Sequence, residues 1–122
     1  MEEIRKYSFE KLEVWQLSKE LTKEIYRISN TFPRNEQYGI ISQIRRASFS
    51  ITNNLAEGNS RNSIKDKTRF LEIAFGSLME VLNILIIVNE LEFITNESLT
   101  DFRKKINEIG NKLNALKISL NK

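Results

Sequence analysis

Near its C-terminus the chain places Leu99, Phe102, Ile106, Ile109, Leu113, Leu116 and Leu120 in steps of three and four. That spacing keeps all seven on one face of an α-helix, whereas a strand would scatter them over both faces. A long helix with one apolar stripe needs other elements to cover the stripe, and the rest of the chain supplies them. Val14, Leu21, Ile25, Ile28 and Phe32 recur at helical spacing, with Ser18 filling one gap. Phe32-Pro33 ends that helix, because the residue before a proline is pushed out of helical geometry. Ile41, Ile44, Ser48, Ile51 and Leu55 form a second stripe, and Gly58 is expected at its C′ position. Leu71, Ala74, Leu78, Val81, Leu85 and Val88 form a third, opened by Ser63 as N-cap with Asp66 three residues on.

The spacing thus predicts helices over about 12–31, 36–57, 63–91 and 96–120. One proline and four glycines leave little to interrupt them. Gly110 falls inside the last helix at a cost of about 1 kcal/mol relative to alanine, with no reason visible in the sequence. Short connections make neighbours antiparallel. Residues 1–122 are expected to form a single all-α domain, an up-and-down four-helix bundle.

Composition narrows the chemistry. There is no cysteine and no histidine. Disulfide scaffolds, zinc fingers, thiol nucleophiles and imidazole-based catalysis are therefore excluded. Glu20, Glu24, Glu72 and Glu80 lack the histidines of a di-iron bundle and read as solvated helix faces. Ser42, Ser48, Ser50 and Ser77 have no imidazole base and no G-x-S-x-G turn, and read as small residues at helix contacts. No Walker A loop and no G-x-G-x-x-G is present. The expectation is a protein that is not an enzyme, with no catalytic residues, metal or cofactor. MEEIRKYSFE contains no apolar leader, and the apolar stretch Val81–Val88 is far short of the ~20 residues of a membrane span. A soluble, cytoplasmic protein without membrane contact is expected.

Two helices have a second apolar face. At about 100° per residue, Tyr38, Phe49 and Ala56 cluster well away from the second helix's core stripe. On the third helix Phe70, Ile73, Ser77, Ile84, Ile87 and Leu91 do the same. A four-helix monomer needs one stripe per helix, and large exposed apolar patches are rare on monomers. These residues are expected to form a homo-oligomer interface. Arg45 faces the Tyr38–Phe49–Ala56 seam and is expected to be structural, in the interface or in a buried ion pair.

Positive charge is concentrated. Between Arg45 and Arg69 six basic residues stand against Glu57 and Asp66, a net +4, while the whole chain is +3. Asn53, Asn54, Asn59 and Asn62 add neutral donors, and backbone amides opening the third helix favour an anion. Arg46, Arg61, Lys65, Lys67 and Arg69 are the candidate contacts to the phosphates of RNA or DNA.

Several blocks resemble a known family. They are Phe9-Glu10-Lys11-Leu12-Glu13-Val14-Trp15-Gln16, Ile25-Tyr26, Phe32-Pro33 and Glu36-Gln37-Tyr38-Gly39. The most specific runs from Ser42-Gln43-Ile44-Arg45-Arg46-Ala47 to Ile51, then Asn54-Leu55-Ala56-Glu57-Gly58. Arg69 to Ala74 and Gly76 to Glu80 continue it. Together they resemble the four-helix proteins encoded within intervening sequences of bacterial 23S ribosomal RNA genes, over about residues 8 to 120. Phe49 and Thr52 depart from the pattern. That family is in turn similar to the accessory variability protein of diversity-generating retroelements. The resemblance implies a homopentameric ring and binding of nucleic acid. It also implies the alternative of a protein-interaction scaffold, an accessory subunit for a nucleic-acid enzyme such as a reverse transcriptase. No catalytic set is implied.

Overall fold

The computed structural model describes residues 2–122. Four α-helices carry the chain: α1 (Glu13–Ser29), α2 (Ser42–Asn59), α3 (Ile64–Glu90) and α4 (Asn96–Leu120). Among the described residues there is no strand. The helices form a ring in which α1 neighbours α2 and α4, and α3 neighbours α2 and α4. Every neighbouring pair is antiparallel. Thr22 Oγ1 donates to the Ser48 carbonyl, Ser50 and Ser77 share a hydroxyl hydrogen bond of 2.7 Å, and Lys117 reaches Glu72 at 2.9 Å.

The stripes meet as their spacing requires. Leu21 and Ile25, Ile44 and Ile51, Leu78 and Leu85, and Ile106, Ile109 and Leu113 are all fully buried. Polar residues in this interior are small and satisfied. Ser18 donates to the Val14 carbonyl, and Thr22 serves both Ser18 and Ser48. No buried side-chain nitrogen or oxygen among the described residues lacks a partner. The α2–α3 pair packs most closely, whereas α1 and α4 stand further apart. That wider seam is bridged by charge: Lys105 pairs with Glu24, and Lys112 with Glu13 at 3.1 Å.

Helix ends follow local chemistry. Ser63 Oγ accepts from the Asp66 amide at 3.1 Å, and Thr95 Oγ1 accepts from the Ser98 amide at 3.0 Å. The α3–α4 turn places Glu92 at φ 65°, the left-handed position usually given to glycine, while the Phe93 amide returns to the Val88 carbonyl. Asn89 closes the turn through the Ile94 carbonyl and Asn96.

Three expectations are corrected. The second helix does not run smoothly from residue 36. A 3-10 turn (Arg34–Glu36) and a π-helical turn (Gln37–Ile41) precede it, and Gly39 (φ −111°, ψ −107°) is not helical. Gly58 is not a C′ residue. It lies buried inside α2, where an added Cβ would come within 2.5 Å of Phe70 Cβ. Its missing side chain is what lets α2 and α3 approach so closely. The third concerns hydropathy: an 18-residue stretch of α3 has mean hydropathy 2.0, long and apolar enough to cross a membrane. Its apolarity reflects two faces, one in the core and one carrying Ile73 and Ile87 on the surface.

Candidate nucleic-acid interface and exposed apolar face

The turn from α2 into α3 brings three of the five predicted cations together. Arg61 lies over the Phe70 ring at 5.0 Å and Arg69 approaches the same ring at 5.9 Å. Phe70 is itself fixed against Gly58. Lys65 stands one helical turn before Arg69, on the same strip of α3. The nearest opposing charge to Arg61 is Glu57, at 3.9 Å on exposed side chains, too loose to neutralise it. Among the described residues no carboxylate pairs with Lys65 or Arg69 within 4.0 Å.

The other two predicted cations lie elsewhere. Lys67 is half-buried, and its ammonium donates to the Asn59 carbonyl at 3.3 Å. Its stem borders a cavity of about 50 Å³ with Leu12, Leu71, Leu116 and Leu120. Lys67 therefore closes the end of the bundle rather than projecting from it. Arg46 is exposed, but lies some 22 Å along the chain axis from Arg61 at about 1.5 Å per helical residue.

The neutral donors divide in the same way. Asn54 is committed to Ser50, and Asn59 donates to Ser8 Oγ at 2.6 Å, tying the N-terminal segment to the end of α2. Asn53 and Asn62 remain exposed. The start of α3 offers less to an anion than expected, since Ser63 occupies the Asp66 amide and Asp66 adds negative charge.

The predicted interface residues also separate. Tyr38, Phe49, Ile73 and Ile87 are exposed, and Ala56 and Phe70 are half-buried. Ser77 and Ile84 are not on the outer face. The close approach of α2 buries both inside the protomer, with Ser77 bonded to Ser50. Angular spacing alone groups them with Ile73 and Ile87, but they lie on the edge that α2 covers. Arg45 forms no ion pair among the described residues. Its Nε donates to Ser29 Oγ at 2.9 Å, and Nη2 donates to Asn30 Oδ1 at 2.9 Å. The guanidinium lies 4.5 Å from the centre of the Tyr26 ring, and Tyr26 meets Phe49 edge-on at 5.7 Å. Arg45 thus caps the C-terminal end of α1. Tyr26 is a surface aromatic that stripe analysis of α1 misses, because it lies outside the core stripe.

No three metal-ligating side chains cluster among the described residues. No curated protein matches the chain. A crystal structure of a protein of unknown function from the S23 ribosomal protein family of Bacteroides thetaiotaomicron VPI-5482 superposes with TM-score 0.78 at 24% identity. The match covers 85% of this chain and 94% of that one, and establishes the shared helical fold. The family model for the 23S rRNA-intervening sequence protein matches residues 10–115. That span takes in all of α1, α2 and α3 and most of α4, so the chain belongs to the 23S rRNA-intervening sequence protein family.

Proposed function

We propose that this chain is a non-enzymatic, oligomeric bundle that binds RNA or DNA by its phosphates through Arg61, Lys65 and Arg69, with Arg46 as an outlying contact. The observation that supports this most is the Arg61–Phe70–Arg69 stack. Two guanidinium groups lie 5.0 and 5.9 Å from the centre of one ring, with Lys65 one turn before Arg69, which concentrates exposed positive charge where an anion can meet it. Binding of this kind is electrostatic and weakly sequence-specific. Assembly into a homopentameric ring would repeat the cluster in each protomer and extend the basic track. The exposed Phe49 with Ala56 on α2, and the exposed Ile73 and Ile87 on α3, are the apolar surfaces offered to a neighbouring copy.

The test is a titration of labelled RNA and duplex DNA at several salt concentrations. Four phosphate contacts give a log–log salt slope of about −3 on single strands. Changing Arg46, Arg61, Lys65 and Arg69 together to Glu abolishes binding and leaves the assembly mass unchanged. Survival of binding in that variant refutes the assignment. The second reading, a scaffold that docks a nucleic-acid enzyme such as a reverse transcriptase, draws on the same exposed apolar face. It is favoured by a stable protein complex formed without nucleic acid.

A further inference from the structure

Tyr38 is 97% exposed. It sits on the π-helical turn before α2, beside the non-helical Gly39, so the regular register of α2 does not govern its position. Helical spacing groups Tyr38 with Phe49 and Ala56, but this turn detaches it from that row. Next to Tyr38 an open cleft of about 540 Å³ lies between the start of α2 and the middle of α3. Its walls carry Ser42, Gln43, Arg46, Ser50 and Glu80.

The groups in this cleft are unspent. Arg46 and Glu80 share it, yet no ion pair within 4.0 Å joins them among the described residues. Ser50 is the exception, committed to Ser77 and Asn54 as part of the wall. A water-exposed aromatic ring, a free guanidinium, an amide and a carboxylate acceptor match the parts of one nucleotide. The ring offers a stacking face, the guanidinium a phosphate site, and the other two hydrogen bonds to a base edge.

We propose that this cleft is a subsite for one nucleotide of a single-stranded nucleic acid. Tyr38 stacks on the base, Arg46 holds the adjacent phosphate, and Gln43 and Glu80 meet the base edge. The Glu80 carboxylate only accepts, so it suits bases with an exocyclic amino group and keeps the phosphate on the Arg46 side. Paired bases in a duplex are stacked on each other and give Tyr38 no face, so the subsite selects single strands. The inference rests on the nucleic-acid reading above and adds the strandedness of the ligand to it.

The experiment measures the full chain by fluorescence anisotropy against a short labelled single-stranded RNA and the same RNA in a duplex. Base–aromatic stacking of ~1–3 kcal/mol makes Tyr38→Ala roughly 5- to 150-fold weaker on the single strand. Duplex affinity stays unchanged, and Tyr38→Phe binds as wild type does. Circular dichroism and assembly mass are read on the same samples. If Tyr38→Ala leaves single-strand binding intact, or weakens both ligands equally, the subsite is refuted while nucleic-acid binding stands. A fall in assembly mass makes Tyr38 a subunit contact and also refutes it. Wild-type protein that binds neither ligand refutes the nucleic-acid reading itself, and the subsite with it.

Discussion

Gly58 and Gly110 are both buried helical glycines, and replacing each with alanine should move stability in opposite directions. At Gly58 the new Cβ would lie 2.5 Å from Phe70 Cβ and 3.3 Å from its Cγ. Ordinary carbon contacts begin near 3.5 Å, so roughly 1 Å of overlap must be relieved. A Cβ has no rotamer to escape into. Relief therefore requires α2 and α3 to move apart at their closest approach. Overpacking of this kind costs ~1–3 kcal/mol, against ~1 kcal/mol gained in helix propensity. A 2.5 Å conflict between two Cβ atoms puts the cost in the upper part of that range, about 2–3 kcal/mol, so the net expectation for Gly58→Ala is a loss of about 1–2 kcal/mol. At Gly110 the new Cβ would meet Phe75 at 3.5 Å and Leu78 at 3.6 Å, which is normal contact. Gly110→Ala keeps the propensity gain and should stabilise by about 1 kcal/mol. The assay is guanidinium unfolding followed by Trp15 fluorescence and helical circular dichroism, at fixed protomer concentration because association shifts apparent stability. The two midpoints should lie on opposite sides of wild type. A Gly58→Ala protein as stable as wild type would mean that α2 and α3 are not locked by this contact.

Glu92→Gly relieves a left-handed residue at the α3–α4 turn and should raise stability by about 0.5–1 kcal/mol, read as a higher Tm. Arg45→Lys loses the bonds to Ser29 and Asn30 and the Tyr26 stack, and should cost about 1–2 kcal/mol in the same unfolding assay. Ile73→Glu with Ile87→Glu, on exposed positions, should leave helicity intact and reduce the mass seen by light scattering to the 14.3 kDa protomer. An unchanged mass would remove that face from the interface.

The α4 stripe and the Ser63 cap are legible in the sequence because each is a local pattern with one physical meaning. Gly58 is not, since a glycine near a helix end signals a left-handed cap or a close approach equally well, and only Phe70 decides between them. Ser77 and Ile84 share the angular sector of Ile73 and Ile87. Whether that sector is inside or outside depends on how closely α2 packs, which the spacing within α3 does not encode. The basic cluster is legible as charge but not as geometry. Lys67 has the same charge as Lys65, yet its position on the helix turns it toward the Asn59 carbonyl. Tyr38 is displaced by the Gly39 turn, a break that a smooth helical wheel drawn from residue 36 conceals.

The two-faced character of α3 has a consequence for biosynthesis. Chains emerge N-terminus first, at about 5–20 residues per second, so the 25 residues of α4 follow α3 by roughly 1–5 s. During that interval a stretch as apolar as a membrane span is uncovered on its α4 side. Between Leu71 and Val88 the only charges are Glu72 and Glu80. Glu72 is later paired by Lys117 of α4, but Glu80 forms no ion pair among the described residues. It stands near the middle of the stretch, where a charge opposes lipid insertion most strongly. A carboxylate in that position raises the cost of placing the uncovered helix in a bilayer, whereas the finished bundle leaves Glu80 exposed to water.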